Sequence, residues 1–139
     1  MRRIGDVYEL KEERDAELLR TFRLHLMQKG AVSLPECVER TVMSPTARFW
    51  VSTERATCVI QGLLRGEGLE RMSATKREMY QEIFFRVLEA RDLHPGWSVA
   101  ELTDCVVRQP APRFYLTPKS AVVILCRIRR EHPWAGRRV

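Results

Sequence analysis

Apolar residues recur every three or four positions in six segments of the chain, which is the spacing of an α-helix with one buried face. The six predicted helices span residues 12–29, 34–43, 53–65, 76–91, 99–108 and 118 to about 130. Prolines and glycines interrupt the pattern between the segments, as in Ser44-Pro45 and Gly66-Glu67-Gly68. The pattern therefore predicts an all-α protein.

Residues that cap helices stand at the starts of five of the predicted helices. Ser52 and Thr117 precede two of them, and Pro118 suits the first position of a helix. The other three starts have the capping-box spacing of a Ser or Thr and a Glu three residues later: Ser33 with Glu36, Thr75 with Glu78 and Ser98 with Glu101. Local chemistry therefore supports the same helix starts as the apolar pattern.

The first half of the sequence recurs in the second half in one continuous register. Arg48-Phe49-Trp50-Val51-Ser52 corresponds to Arg113-Phe114-Tyr115-Leu116-Thr117, and this repeat register extends in both directions without a gap. Such a repeat predicts a tandem duplication of a three-helix unit. We assign residues 1–66 to the first helical repeat and 67–139 to the second, which includes a basic C-terminal tail. Units of this size bury little apolar surface alone, so we expect the two to share one core.

Each predicted unit has a long helix, a short helix, a turn with a brief extended segment, and a third helix. This order resembles a helix-turn-helix module, in which the second of two capped helices enters the major groove of DNA. The turn from Ser44 to Val51 is longer than the usual three or four residues and includes the extended segment 48–51. The resemblance implies that helix 53–65 is the recognition helix of the first unit.

The charge of the chain favours a polyanionic partner such as nucleic acid. The formal net charge is +6 and the isoelectric point is near 9.5. Of the 24 basic residues, 20 are arginines, whose planar side chain grips a phosphate or a guanine edge with two bonds. Codon usage in a GC-rich genome would produce the same excess, so the arginines alone do not decide the function.

We predict that the protein binds nucleic acid, most simply DNA, as a regulatory or accessory factor. Outward positions of helix 53–65, the cations before the two aromatic pairs, and the basic cluster around Trp134 supply the candidate contacts. These residues are Arg48, Arg55, Gln61, Arg65, Arg113, Arg127, Arg129, Arg130, Arg137 and Arg138. A solvated helix face, cations at a helix C-terminus, or bonds from arginine to internal carbonyls would explain the same residues without a ligand.

The last predicted helix favours a second function. Residues 121–126 are apolar on nearly every side, and such a helix is buried either in the core or against a partner. The alternative is therefore a protein–protein interaction or scaffold module that binds an acidic partner or forms a homodimer through this helix.

No motif points to catalysis, a metal or a cofactor. The chain lacks Gly-x-Ser-x-Gly, a phosphate-binding glycine loop at a helix start, and His-Glu-x-x-His. Its four cysteines form no Cys-x-x-Cys pair and its three histidines are scattered, so we expect buried free thiols in a reducing compartment. Acidic residues follow the basic N-terminus, and no apolar run approaches the roughly 20 residues of a membrane span. We therefore expect a cytoplasmic, non-enzymatic protein that does not bind membranes.

Overall fold

The computed structural model describes residues 2–28, 30 and 33–131, with side chains from residue 9 onward. Its helices are α1 (Arg2–Met27), α2 (Leu34–Val42), α3 (Thr53–Leu64), α4 (Ala74–Leu93), α5 (Val99–Val107) and α6 (Pro118–Glu131). Within those residues there is no strand, so the predicted all-α class is confirmed. None of the helices in the described ranges has the length and apolar composition that crossing a membrane requires.

Two helix starts differ from the prediction. Helix α1 begins at Arg2, well before the predicted start at residue 12. The acidic residues Glu12, Glu13 and Asp15 suit a first helical turn, but such residues are also tolerated in the interior of a solvated helix. Helix α4 begins at Ala74, so the predicted capping box at Thr75 and Glu78 is wrong. Ser73 occupies the cap position there, with no side-chain bond to the helix.

The other predicted caps are confirmed. The Oγ atoms of Ser33 and Ser52 each accept a hydrogen bond from the backbone N–H group three residues later, at 3.2 and 3.1 Å. The Oγ1 atom of Thr117 accepts the same kind of bond at 3.0 Å. The Ser98–Glu101 box is complete: Glu101 N donates to Ser98 Oγ at 3.1 Å, and Ser98 N donates to Glu101 Oε1 at 2.8 Å. These bonds satisfy N–H groups that a helix start leaves without partners.

The helices form two lobes, and each lobe takes helices from both halves of the sequence. In the first lobe, α6 packs against α1 and α2; in the second, α3 packs against α4 and α5. The first core is built from Leu18, Val38, Val42, Phe114, Ala121 and Ile124. The second is built around Phe49, Ile60, Ile83, Leu102 and Val106. The predicted boundary at residue 66 lies in the α3–α4 connection. Each lobe contains helices from both sides of this boundary, because α3 packs with helices of the second half and α6 packs with helices of the first half.

The turns that precede α3 and α6 meet at the centre of the molecule. Thr46 and Ala111 form an isolated antiparallel bridge with two backbone bonds of 2.9 Å. On either side of the bridge, Phe49 N donates to Val107 O and Phe114 N donates to Val42 O, both at 3.0 Å. In the repeat register, Phe49 corresponds to Phe114 and Val42 to Val107, so each of these two bonds is the counterpart of the other. The two turns therefore pair symmetrically where each third helix enters the opposite lobe.

Neither of the predicted extended segments forms a strand, and both contain bends in the backbone. Val51 N donates to Phe49 O at 3.0 Å, and Tyr115 has a φ of 59°, in the left-handed region. One aromatic of each pair faces inward as expected, since Phe49 and Phe114 are 0% and 3% exposed.

Candidate binding groove and the predicted basic surface

Arg48 and Arg113, which precede the two aromatic pairs, bond within the protein. Arg48 donates to the carbonyl oxygens of Phe49 at 3.0 Å and Val51 at 3.1 Å, and its guanidinium lies 6.0 Å from the centre of the Trp50 ring. Burial, with the nearby Arg108, lowers the pKa of Arg48. Arg113 lies 5.9 Å from the centre of the Tyr115 ring and 3.9 Å from Glu78. Internal hydrogen bonds therefore account for Arg48, whereas Arg113 forms an exposed ion pair whose nitrogen and oxygen atoms are 3.9 Å apart.

Two further predicted contacts are engaged in ion pairs. Arg65 pairs with Glu67 at 3.1 Å on the surface. Arg127 pairs with the buried carboxylate of Asp15, which also accepts a bond from Arg14 at 2.9 Å. Because Asp15 lies on α1 and Arg127 on α6, this pair holds the exchanged helix against its lobe.

Four predicted contacts are exposed side chains that make no ion pair with another described residue. Arg55 and Gln61 lie on α3 in the second lobe, and Arg129 and Arg130 lie on α6 in the first lobe. The structure thus distributes them over both lobes. The last two predicted contacts, Arg137 and Arg138, lie outside the described residues, as does Trp134.

An open groove on the first lobe has a volume of about 670 Å³. It lies between α1, α2 and α6 and is mainly apolar. We call it the first-lobe groove; its principal apolar side chains are Leu19, Phe22, Leu26, Leu34, Val122 and Leu125. Three of these remain substantially exposed: Leu26 at 44%, Leu34 at 61% and Val122 at 43%. The volume falls in the range of ordinary ligand and peptide sites.

The first-lobe groove exists because α6 is apolar on two faces. Ala121 and Ile124 face the core of the lobe, and Val122 and Leu125 face the groove. On α1, a stripe of apolar residues at helical spacing lines the opposite side. Only one of the two apolar faces of α6 therefore contributes to the core. Val123, next to Val122 on α6, is 59% exposed.

At two of the six groove positions, the second lobe has a polar residue where the first lobe has an apolar one. Counted from the first residue of each helix, Thr57 of α3 stands where α6 has Val122. In the repeat register, Arg91 of α4 likewise corresponds to Leu26 of α1. Among the described residues, the core of the second lobe contains twelve buried residues and that of the first lobe six. At Leu26 and Val122 the first lobe therefore exposes apolar side chains that the second lobe does not have.

The rim of the first-lobe groove is cationic. Arg23, Lys119 and Arg129 line it, and Glu39 is the one acidic residue that does so among the described residues. Lys119 and Arg129 stand at opposite ends of α6. A ligand with an apolar body and negative charges at its ends fits this arrangement.

The sequence contained a signal for this site that the prediction did not use. At the end of α1, Leu24, Leu26 and Met27 add apolar residues beyond the core stripe. The repeat has Glu89, Arg91 and Asp92 at those positions. An apolar residue at a position that is polar in the other half of the sequence indicates surface that the fold itself does not need to bury.

The polar chemistry of the described residues offers no built metal centre. No group of three or more His, Cys, Asp or Glu side chains in that part of the chain is placed to hold a metal ion. Cys37 is a buried free thiol, as predicted. The prediction is wrong for Cys58, Cys105 and Cys126, which are exposed free thiols because they lie on exposed faces of α3, α5 and α6. Hydrogen bonds from Thr53 at 2.7 Å and Arg108 at 3.0 Å outweigh the effect of burial and lower the pKa of Asp104, which joins α3 to α5.

No protein-family model, curated protein or solved structure matches the chain. Proposals about its function therefore rest on its own sequence and geometry.

Proposed function

We propose that the protein is a non-catalytic interaction module that binds a protein partner in the first-lobe groove. The observation that carries the proposal is the apolar lining that remains exposed on the first lobe, where Leu26 and Val122 stand at positions that are polar in the second lobe. Exposed apolar patches of this kind mark interaction surfaces in soluble proteins. Exposed free thiols favour a reducing compartment, and we place the protein in the cytoplasm.

The expected anchors are the groove residues with the largest exposed apolar area. Burying a Leu or Val side chain fully contributes roughly 1.5–3 kcal/mol, and Leu26, Leu34 and Val122 each have about half of that still to gain. Side-chain ordering and lost rotational freedom offset part of this contribution. A few such anchors in the middle of an interface typically dominate its affinity.

A photo-crosslinking experiment tests the proposal. A photoreactive residue at Val122 is expected to capture a specific protein, and the same residue at Thr57 on the second lobe is not. The purified partner should bind the wild-type chain and lose at least about 100-fold in affinity for Val122→Asp, because a carboxylate replaces an anchor in an apolar site.

The control variant is Gln61→Ala, which alters an exposed position of the second lobe and should leave the affinity unchanged. Equal binding of the partner to wild type and Val122→Asp would contradict the proposal. So would capture at Thr57 in place of Val122.

A second candidate function is nucleic-acid binding, favoured by the exposed arginines that make no ion pair with described residues. Arg129 and Arg130 are adjacent at the end of α6, and Arg55 and Gln61 lie on the exposed face of α3. Side chains of these types contact phosphates and base edges. Against this candidate, Arg48, Arg65, Arg113 and Arg127 already bond within the protein.

Anisotropy titrations with labelled duplex DNA, single-stranded DNA and RNA test the second candidate. If it is correct, the affinity falls as salt rises, and replacing both Arg129 and Arg130 with Ala reduces the slope of log affinity against log salt by about 2. Lys76→Ala, on the exposed face of α4, serves as the control. Absence of binding at low salt would reject this candidate.

We infer in addition that the two halves are copies of one helix-turn-helix-like unit, residues 1–66 and 67–139. The support is the shared order of helices and the pair of central backbone bonds that the repeat register interchanges. On this inference α3 and α6 are equivalent helices with different roles: α6 lines the groove, and α3 remains the candidate recognition helix.

A further inference from the structure

The walls of the first-lobe groove restrict the backbone conformation of its occupant. Its lining comes from α1, α2 and α6, whose backbone N–H and C=O groups are largely bonded within the helices. An extended segment would therefore find few partners for its own backbone groups once it left water. A helix satisfies those groups internally, and an amphipathic helix in an apolar groove is a recurring mode of recognition.

The length of the groove fits about three turns of helix. Its lining on α6 extends from Lys119 to Arg129, ten residues apart, which corresponds to about 15 Å at 1.5 Å per residue. On α1, Leu19, Phe22 and Leu26 form a parallel apolar stripe. An occupant with apolar residues at positions i, i+3 or i+4, and i+7 can contact both walls.

The charges at the rim specify the ends of the occupant. Lys119 and Arg129 mark the two ends of the groove on α6, and Arg23 lies across from them on α1. Acidic residues about ten positions apart on a helix would meet the two α6 cations together. Exposed ion pairs contribute modestly to affinity but set the register and exclude partners with cations at those positions.

The same charges disfavour the other apolar occupants that the chain could provide. A second copy carries the same cationic rim and a net charge of +6, so pairing two grooves would bring like charges together. The chain's own C-terminal residues include Arg137 and Arg138, which would lie against a basic rim. A partner with acidic ends would not bring like charges together at the cationic rim.

We propose that the occupant of the first-lobe groove is an amphipathic helix of another protein, with acidic residues flanking its apolar face. This inference rests on the proposed function and adds the chemistry of the partner. The apolar face of the helix contacts α1 and α6, and its acidic ends pair with Lys119 and Arg129.

A displayed library of amphipathic peptides, each long enough for about four turns of helix, tests this inference on the full-length protein. The apolar face is constant, and the flanking positions are varied among Glu, Lys and Gln. Counter-selection against Val122→Asp keeps only peptides that depend on the groove. We expect Glu at both flanks, with affinity at least about tenfold tighter than the Lys-flanked peptide at low salt.

A charge-reversal variant supplies the matched control. In the double variant Lys119→Glu and Arg129→Glu, the preference is expected to change from Glu to Lys flanks, whereas Lys76→Glu and Arg71→Glu on the second half should leave it unchanged. Selection of the same flanks on the wild type and the double variant would overturn the inference. So would a failure to enrich any peptide that depends on Val122.

Two further outcomes would identify a different occupant. Concentration-dependent dimers of the wild type that Val122→Asp abolishes would show that a second copy fills the groove. A large gain in peptide affinity on truncation after Glu131 would show that the C-terminal residues fill it. Capture of a partner at Val122 together with failure of the acidic peptides would reject the acidic helix and leave the interaction function standing.

Discussion

The substitution Phe49→Ala is expected to lower the free energy of unfolding by about 4 kcal/mol. The Phe49 side chain is 0% exposed in the core of the second lobe. Its ring stacks on Tyr115 at 6.0 Å between centroids and has the Arg86 guanidinium 5.0 Å from its centre. Because Tyr115 belongs to the other central turn, removal of the ring opens a cavity and also weakens the contact between the two turns.

Urea denaturation followed by circular dichroism measures this effect. Proteins of this kind are stable by about 5–15 kcal/mol, so the loss would remove a large part of the total. Phe85→Ala is the control, since Phe85 is 58% exposed and its removal should change the stability by less than about 1 kcal/mol. Equal stability of the two variants would show that Phe49 is not central to the core.

The second large effect is expected when the chain is divided between residues 66 and 67. Neither half should fold alone, because the buried face of α3 packs on α4 and α5 and that of α6 packs on α1 and α2. Each half would expose that face to water and lack one helix of its own lobe. An equimolar mixture should regain the helices, because the missing helix of each lobe is supplied by the other half.

Far-UV circular dichroism and thermal unfolding of each half and of the mixture test this expectation. The halves alone should show low helicity and no cooperative transition, and the mixture should show both. The undivided chain under the same conditions is the reference. A monomeric fragment 1–66 that unfolds cooperatively would contradict the exchange of third helices.

Most of the secondary structure could be predicted from the sequence because its causes are local. The spacing of apolar residues and the caps Ser33, Ser52 and Ser98 act within one or two turns of a helix, and their predicted positions agree with the structure. The exceptions are also local in origin. Helix α1 continues upstream of its acidic residues, and Thr75 lies inside α4 although its spacing to Glu78 matches a capping box.

The candidate site was much less predictable. Arg48 and Arg127 have the composition and neighbours of nucleic-acid contacts, but their partners are carbonyls of the following turn and a carboxylate 112 residues away. A sequence shows that an arginine is present but does not show which acceptor lies within its reach. The groove escaped prediction because its walls come from three helices that are distant along the chain.

The sequence by itself determined the helical class and most of the helix bounds. The tertiary structure decided that α3 and α6 exchange lobes, that several arginines bond internally, and that one lobe keeps an open apolar groove. Periodicity specifies which face of a helix leaves water. It does not specify which other apolar face that helix meets, because burial is favourable against any well-packed apolar surface and only the packing of the whole chain selects among them.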